Sequence, residues 1–175
     1  MRLQWDQQKY STGFAHIDQQ HSELFEGING LILFLKQSSP KKDRENIEKI
    51  FEMLDFLGQY AQQHFQDEEA IFEKYNHPMK DINKEEHQLF LEKYVYYQEK
   101  LQAKIEQQRL TRGVLIQIHI FLQSWLVKHI LKVDTNLRDC VEQAEEQEQV
   151  IEHDMAAGKG VFSRFLSFFK RDQND

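Results

Sequence analysis

Cysteine, proline and glycine are scarce in this chain. A single cysteine, Cys140, among 175 residues excludes an internal disulfide and any thiolate cluster for zinc or iron–sulfur chemistry, which leaves nitrogen and oxygen as metal donors. Two prolines and seven glycines are too few for the many turns of a sandwich or barrel, so long uninterrupted elements and an all-α fold are expected. Positive charge is short as well. Lys and Arg number 22 against 29 Asp and Glu, a net charge of −7, and without a broad basic surface to hold a phosphate backbone no nucleic-acid partner is expected. No apolar run approaches the roughly 20 residues that span a bilayer. The first ten residues carry Arg2, Asp6 and Lys9 in a polar stretch and lack the apolar core of a secretory signal, so a cytoplasmic location is the expectation.

What is present suffices for one packed core. Apolar residues make up 40% of the chain and aromatics 12%, including 13 Phe, which argues against disorder. Four segments repeat a 3.6-residue period, broken at 38–40, 76–78 and 111–113, and short connections between four helices predict an up-and-down four-helix bundle. The first helix, about 18–36 with Asp18 as its N-cap, aligns Ile17, His21, Leu24, Ile28, Leu31 and Leu35. The second, within 43–75, aligns Ile47, Ile50, Leu54, Leu57, Ala61, His64, Glu68, Ile71 and Tyr75. The third, about 83–108, aligns Asn83, His87, Phe90, Tyr94, Tyr97, Leu101 and Ile105. The fourth, from Gly113, aligns Leu115, Ile118, Leu122, Trp125, His129 and Val133, and runs on through Leu137 and Val141 into a Glu- and Gln-rich solvated end.

The interruptions of these apolar seams carry the chemistry. His21, His64, Glu68, His87 and His129 each stand where a buried imidazole or carboxylate needs a partner to offset a desolvation cost of several kcal/mol. One buried histidine is ordinarily a hydrogen-bonded core residue, but that explanation is needed four times here and leaves Glu68, one turn after His64, without a counter-charge. A shared cation resolves both. Asp134, five residues after His129, is rotated from the seam centre yet within reach of it. Two bridging carboxylates, several imidazoles and no thiolate suit a non-haem iron pair better than zinc, with manganese left open by ligand type.

The order His21, His64-x-x-x-Glu68, His87 and His129-x-x-x-x-Asp134 resembles the hemerythrin family, in particular its bacterial members. The surrounding words agree: Ile17-Asp18-Gln19-Gln20-His21 with Leu24-Phe25, His64-Phe65 before Glu68-Glu69, and Trp125-Leu126 before His129-Ile130. The resemblance covers roughly residues 3–140. It implies a hemerythrin-like domain over 1–157, with an N-terminal arm (1–17) around Trp5, a bundle core of about 18–140 and a polar helix extension (141–157). It further implies two iron ions, oxo- or hydroxo-bridged, that bind O2 reversibly and hold it as hydroperoxide. His21 and His64 are then terminal ligands of one iron, His87 and His129 of the other, and Glu68 and Asp134 bridge both. The family pattern on the third helix is His-x-x-x-His, and the aligned residue here is Asn83. An amide oxygen is a poorer donor to iron than imidazole, so an extra open position is expected, and with it faster oxidation to the diferric state.

Such a centre reads as an O2-binding protein for oxygen or redox sensing or handling. The alternatives are a di-iron oxidase or peroxidase, an NO-reactive enzyme, or a metal-regulated interaction module. His77, in the turn before Pro78, is expected to face solvent, and His16, His119 and His153 to be surface or hydrogen-bonded residues outside the site. A Gly-Lys-Gly hinge at 158–160 leads into VFSRFLSFFKR at 161–171, whose apolar and basic residues separate on a helix. This tail (158–175) is a candidate contact for a protein partner or an anionic membrane surface.

Overall fold

The computed structural model describes residues 2–37, 43–106 and 112–156, and the elements among them are helices. They are α1 (Gln7–Tyr10), α2 (Ala15–Gln37), α3 (Asp43–Lys74), α4 (Lys80–Glu106), α5 (Arg112–Lys132), a 3₁₀ turn (Asp134–Asn136) and α6 (Leu137–Ala156). The chain divides into a unit over residues 1–138 and a second over 139–175. The Leu35 and His153 side chains, the hinge at 158–160 and the tail at 161–171 lie outside the described residues.

Helices α2 to α5 form the bundle. Each packs on its neighbour in sequence, and α2 closes the ring against α5. Side-chain pairs fix the antiparallel directions: Gln20 with Asp67 and Glu23 with Tyr60 between α2 and α3, His87 with Glu69 and Lys84 with Glu73 between α3 and α4, Lys132 with Glu86 and Lys100 with Gln117 between α4 and α5. The up-and-down bundle follows from this alternation. Its core holds Ile17, Leu24, Phe25, Ile28, Leu31, Leu54, Phe90, Ile118 and Leu122 among others, each burial worth about 1.5–3 kcal/mol.

Local chemistry shifts three of the expected features. Past Glu68 the α3 seam moves by one residue: Phe72 is fully buried, whereas Ile71 and Tyr75 are half-buried. A straight helix drifts about 20° per heptad against a seven-residue repeat, and the drift accumulates over a helix of this length. Secondly, α2 starts at Ala15, so Asp18 is not its N-cap. The Asp18 carboxylate, in the first turn, accepts from the Thr12 N–H (2.7 Å), the Thr12 and Ser11 hydroxyls (2.8 and 2.6 Å) and the Gln7 amide (3.1 Å). It ties the N-terminal arm to the bundle. Asn29 holds the arm farther along, donating to and accepting from the Leu3 backbone at 2.9 and 2.8 Å.

Thirdly, His77 does not face solvent. Asn76 adopts a left-handed φ of 46°, the Asn76 N–H donates to the Glu73 carbonyl (3.0 Å) and the His77 N–H to the Phe72 carbonyl (2.9 Å). That is the Schellman stop, whose usual companion is an apolar contact between the residues that its longer bond joins. Here the contact is His77 on Phe72, ring centroids 5.1 Å apart, and His77 is buried, its Nδ1 accepting from the Met79 N–H at the start of α4.

Helix α5 is apolar all round. Leu115, Ile118, Leu122, Leu126 and Ile130 are buried, while Ile116, Ile120 and Leu131 are exposed. A window of 18 residues within Gly113–Glu146 is apolar enough, by length and composition, to cross a membrane, a test that the core helix of a bundle passes as well. In the bundle this helix lines the core and carries the buried His129. It also does not run on through Asp134. The 3₁₀ turn intervenes, and the Asn136 amide donates to the Val133 and Lys132 carbonyls at 2.7 and 3.0 Å to close the helix end.

Candidate metal centre

Each bundle helix places an imidazole or carboxylate at the same level of the core. His21 comes from α2, His64 and Glu68 from α3, His87 from α4, His129 from α5 and Asp134 from the 3₁₀ turn, and none is more than 2% exposed. The i, i+4 spacing stacks His64 and Glu68 on one face, with Nε2 and Oε1 3.4 Å apart. A continuous α-helix would carry a residue five positions after His129 about 140° around its axis. The tighter 3₁₀ turn re-aims Asp134, so that its Oδ1 lies 3.0 Å from His129 Nε2 and its Oδ2 3.3 Å from His21 Nε2.

The six side chains form two groups that share both carboxylates. His21, His64, Glu68 and Asp134 offer one set of ligand atoms within 4.8 Å of one another, and Glu68, His87, His129 and Asp134 a second. Glu68 reaches across, with Oε1 3.3 Å from His21 Nε2 and Oε2 3.2 Å from His87 Nε2. His87 and His129 face each other at 3.0 Å through their Nε2 atoms. Both oxygens of Glu68 and of Asp134, with Nε2 of His21 and of His64, are buried without a hydrogen-bond partner. Orphaned polar atoms cost about 1–3 kcal/mol each, and here they converge on one another. A pair of cations is the occupant that satisfies them together, and four imidazoles with two carboxylates and no thiolate fit iron.

Outer partners fix the imidazoles. His64 Nδ1 donates to Gln20 Oε1 (3.0 Å), His87 Nδ1 to Glu69 Oε1 (2.9 Å) and His129 Nδ1 to Glu86 Oε2 (2.9 Å). With Nδ1 held to its acceptor, each imidazole turns its Nε2 inward to the site. Gln20 is itself oriented by Asp67, and Glu86 by Lys132. These partners escape a reading by seams, because all are off the core stripe. The signal for Gln20, Glu69 and Glu86 was adjacency in sequence to His21, Glu68 and His87. His21 has no such acceptor, and the Trp5 ring packs on its face instead, centroids 6.0 Å apart.

Burial lowers the proton affinity of His21, but the Asp134 and Glu68 carboxylates against it prevail and hold it at about 9. The same contest at His129, with Asp134 the main opponent of burial, also ends at about 9. At His64 burial wins and pushes the imidazole down to about 4. Burial raises Glu68 and Asp134, but the surrounding histidines keep both ionised, well below the usual carboxylate range. The site without metal is therefore balanced by protons, two imidazoliums against two carboxylates.

Aromatic rings close the site. Phe65 stacks on His87 (3.8 Å, 10°) and Trp125 on His129 (4.3 Å, 14°). Phe65 and Trp125 also line an apolar cavity of about 20 Å³, together with Leu24, Ala61, Phe90 and Leu122. Asn83, one turn before His87, is fully buried, and neither atom of its amide has a hydrogen-bond partner. Of the other histidines, His16 is exposed, His77 packs on Phe72, and His119 is buried with Nε2 unpaired. None of these three belongs to either ligand group.

Comparison with known proteins gives a consistent picture. Residues 12–141 match the model of the Hemerythrin HHE cation binding domain. The chain is 27% identical over 139 residues to a bacteriohemerythrin of Stenotrophomonas maltophilia, covering 79% of this chain and 81% of that protein. It is 28% identical over 141 residues to a bacteriohemerythrin of Methylococcus capsulatus, covering 79% and 96%. A crystal structure of wild-type hemerythrin superposes with a TM-score of 0.64 at 25% identity, over 79% of this chain and 96% of the other.

Proposed function

The chain belongs to the hemerythrin family of non-haem iron-binding domains, whose members hold a di-iron centre, and from that premise we propose that it binds O2 reversibly at an iron pair held by His21, His64, Glu68, His87, His129 and Asp134. In this reading His21 and His64 would hold one iron and His87 and His129 the other, with Glu68 and Asp134 available to both. The observation that carries it is the convergence of orphaned buried carboxylate and imidazole atoms into two groups sharing Glu68 and Asp134. A ferrous pair supplies the electrons that reversible O2 binding needs.

The remaining residues act on that chemistry without taking part in it. Gln20, Glu69 and Glu86 keep Nδ1 protonated and Nε2 free. Phe65 and Trp125 keep bulk water from the His87 and His129 side, and the apolar cavity beside them suits a small apolar diatomic better than water, which needs polar partners. Asn83 stands where the family pattern has a histidine, and its unpartnered amide leaves an extra position beside the His87 ligand group. That opening favours a second small ligand, peroxide or NO, and a role in oxygen sensing or local redox handling over long-term oxygen storage.

The test is the visible spectrum of the iron-loaded, anaerobically reduced chain before and after O2, then after the gas is removed. Charge-transfer bands should rise with O2 and fall on its removal. Bands that never form, or that form and never reverse, contradict reversible binding.

A further inference from the structure

Three aromatic rings lie face to face with imidazoles of the site, and they differ in a way that the closing of a pocket does not require. Phe65, on His87, is buried. Trp125, on His129, and Trp5, on His21, are both half-buried. These are the only two tryptophans in the chain. One faces each ligand group, so both halves of the centre have an indole between an imidazole and the surface. The ring without a route to solvent is a phenylalanine, which is hard to oxidise. The rings with a route are indoles, which give up an electron far more readily.

We infer that Trp125 and Trp5 are electron relays between the metal centre and solvent, each passing one electron through the imidazole that it faces. The inference rests on the reading of the site as an iron pair but not on reversible O2 binding. Its purpose follows from the electron balance of a peroxide encounter. Hydrogen peroxide takes up two electrons and two protons to give two waters. A diferric pair has no ferrous electrons left to give, so where no second peroxide acts as the reductant those electrons are drawn from oxidisable side chains, and without the indoles the ligand histidines would supply them. One leaves the π system of Trp125 and one that of Trp5, the protons come from solvent, and each indole becomes a radical cation. An external one-electron reductant of the ascorbate class then refills each ring at its exposed edge. At Trp5 the indole N–H donates to Gln7 Oε1 at 2.9 Å, and an amide oxygen is too weak a base to take the proton, so any proton that the oxidised indole sheds goes to solvent. Tyr10 lies against Trp5 at 5.8 Å and is buried, a second oxidisable ring behind the first.

The experiment uses the full chain loaded with iron, oxidised to the diferric state and mixed with hydrogen peroxide. Samples are frozen for electron paramagnetic resonance and digested for mass spectrometry. An indole radical is expected, with oxygen adducts concentrated on Trp5 and Trp125, and ascorbate should suppress both. Trp125→Phe and Trp5→Phe should each diminish the radical. The double variant should lose it, with oxidation moving to the histidines and iron released after several-fold fewer equivalents of peroxide. Zinc-loaded protein should give neither radical nor adducts. Where a variant takes up less iron, chain grown on fluorinated tryptophan, nearly isosteric but harder to oxidise, should reproduce the loss. Iron-replete protein with no indole radical, or variants that keep their iron as long as the parent, overturns the relay. A chain that takes up no iron overturns the site reading instead.

Discussion

On the proposed reading, Asn83 is the residue on which the character of the centre turns. Its neighbours on the α4 seam are rings and an imidazole, and its amide is enclosed without a partner, a placement that costs stability unless a ligand answers it. Asn83→His would place an imidazole there and, on that reading, close the position. We expect the oxygenated form to decay to the diferric state several-fold more slowly in this variant, followed as the fading of its visible bands. An equal or faster decay would show that Asn83 leaves nothing open. Cys140 provides a contrasting prediction. It is fully buried, and burial, aided by Asp139, pushes its thiol up to about 11. Because the thiolate is the reacting form, a disulfide reagent at pH 8 should modify the native chain far more slowly than the chain in denaturant. Equal rates would contradict that burial.

At the scale of elements, Asp18 shows how one carboxylate organises a segment. It accepts four hydrogen bonds from the arm, and bonds to a charged group are worth about 1.5–3 kcal/mol each in favourable settings. Asp18→Ala should lower unfolding free energy by about 2–3 kcal/mol in a denaturant titration, and the Trp5 emission should shift to the red as the arm loosens. A loss below about 0.5 kcal/mol, the usual scale for an exposed site, would contradict the anchoring role. Asp18 also illustrates what is readable beforehand. Asp before an apolar period reads as an N-cap, and only the Gly13 turn, with φ at 86°, brings the arm back under the carboxylate. The helices themselves were legible because few prolines and glycines interrupt a strong period, and the levels of His21, His64, Glu68, His87 and His129 were legible because each breaks an apolar stripe. Gln20, Glu69 and Glu86 were not. Periodicity assigns a residue to a face but does not say which polar side chain on that face bends inward to an imidazole. His77 was misread for a related reason: a turn residue faces outward by default, and the Schellman stop overrides that with its ring contact to Phe72.

At the scale of the whole molecule, the bundle acts as a proton-balanced receptor for cations. His21 and His129 are held at about 9 by the carboxylates they face, so at pH 7 the metal-free site carries both protons. Entering metal has to displace them, and loading with ferrous ion at pH 7 should release about two protons per chain, measurable by calorimetry in buffers of different ionisation enthalpy. Each displaced proton contributes about 1.4 kcal/mol per pH unit, so affinity for the metal should rise steeply from pH 7 and level off above about 9. Without metal the sign reverses: the two raised histidines stabilise the fold fully below about 6.5, and that contribution is lost as pH rises through 9. An affinity flat across this range, or no proton release, would contradict the balance.

The account depends most directly on the capacity of the bundle for iron. Metal-free full-length chain titrated anaerobically with ferrous ion, then desalted and assayed for bound metal, should saturate at two irons per chain, one for each ligand group. Saturation at one, or no retained iron, would contradict the central claim.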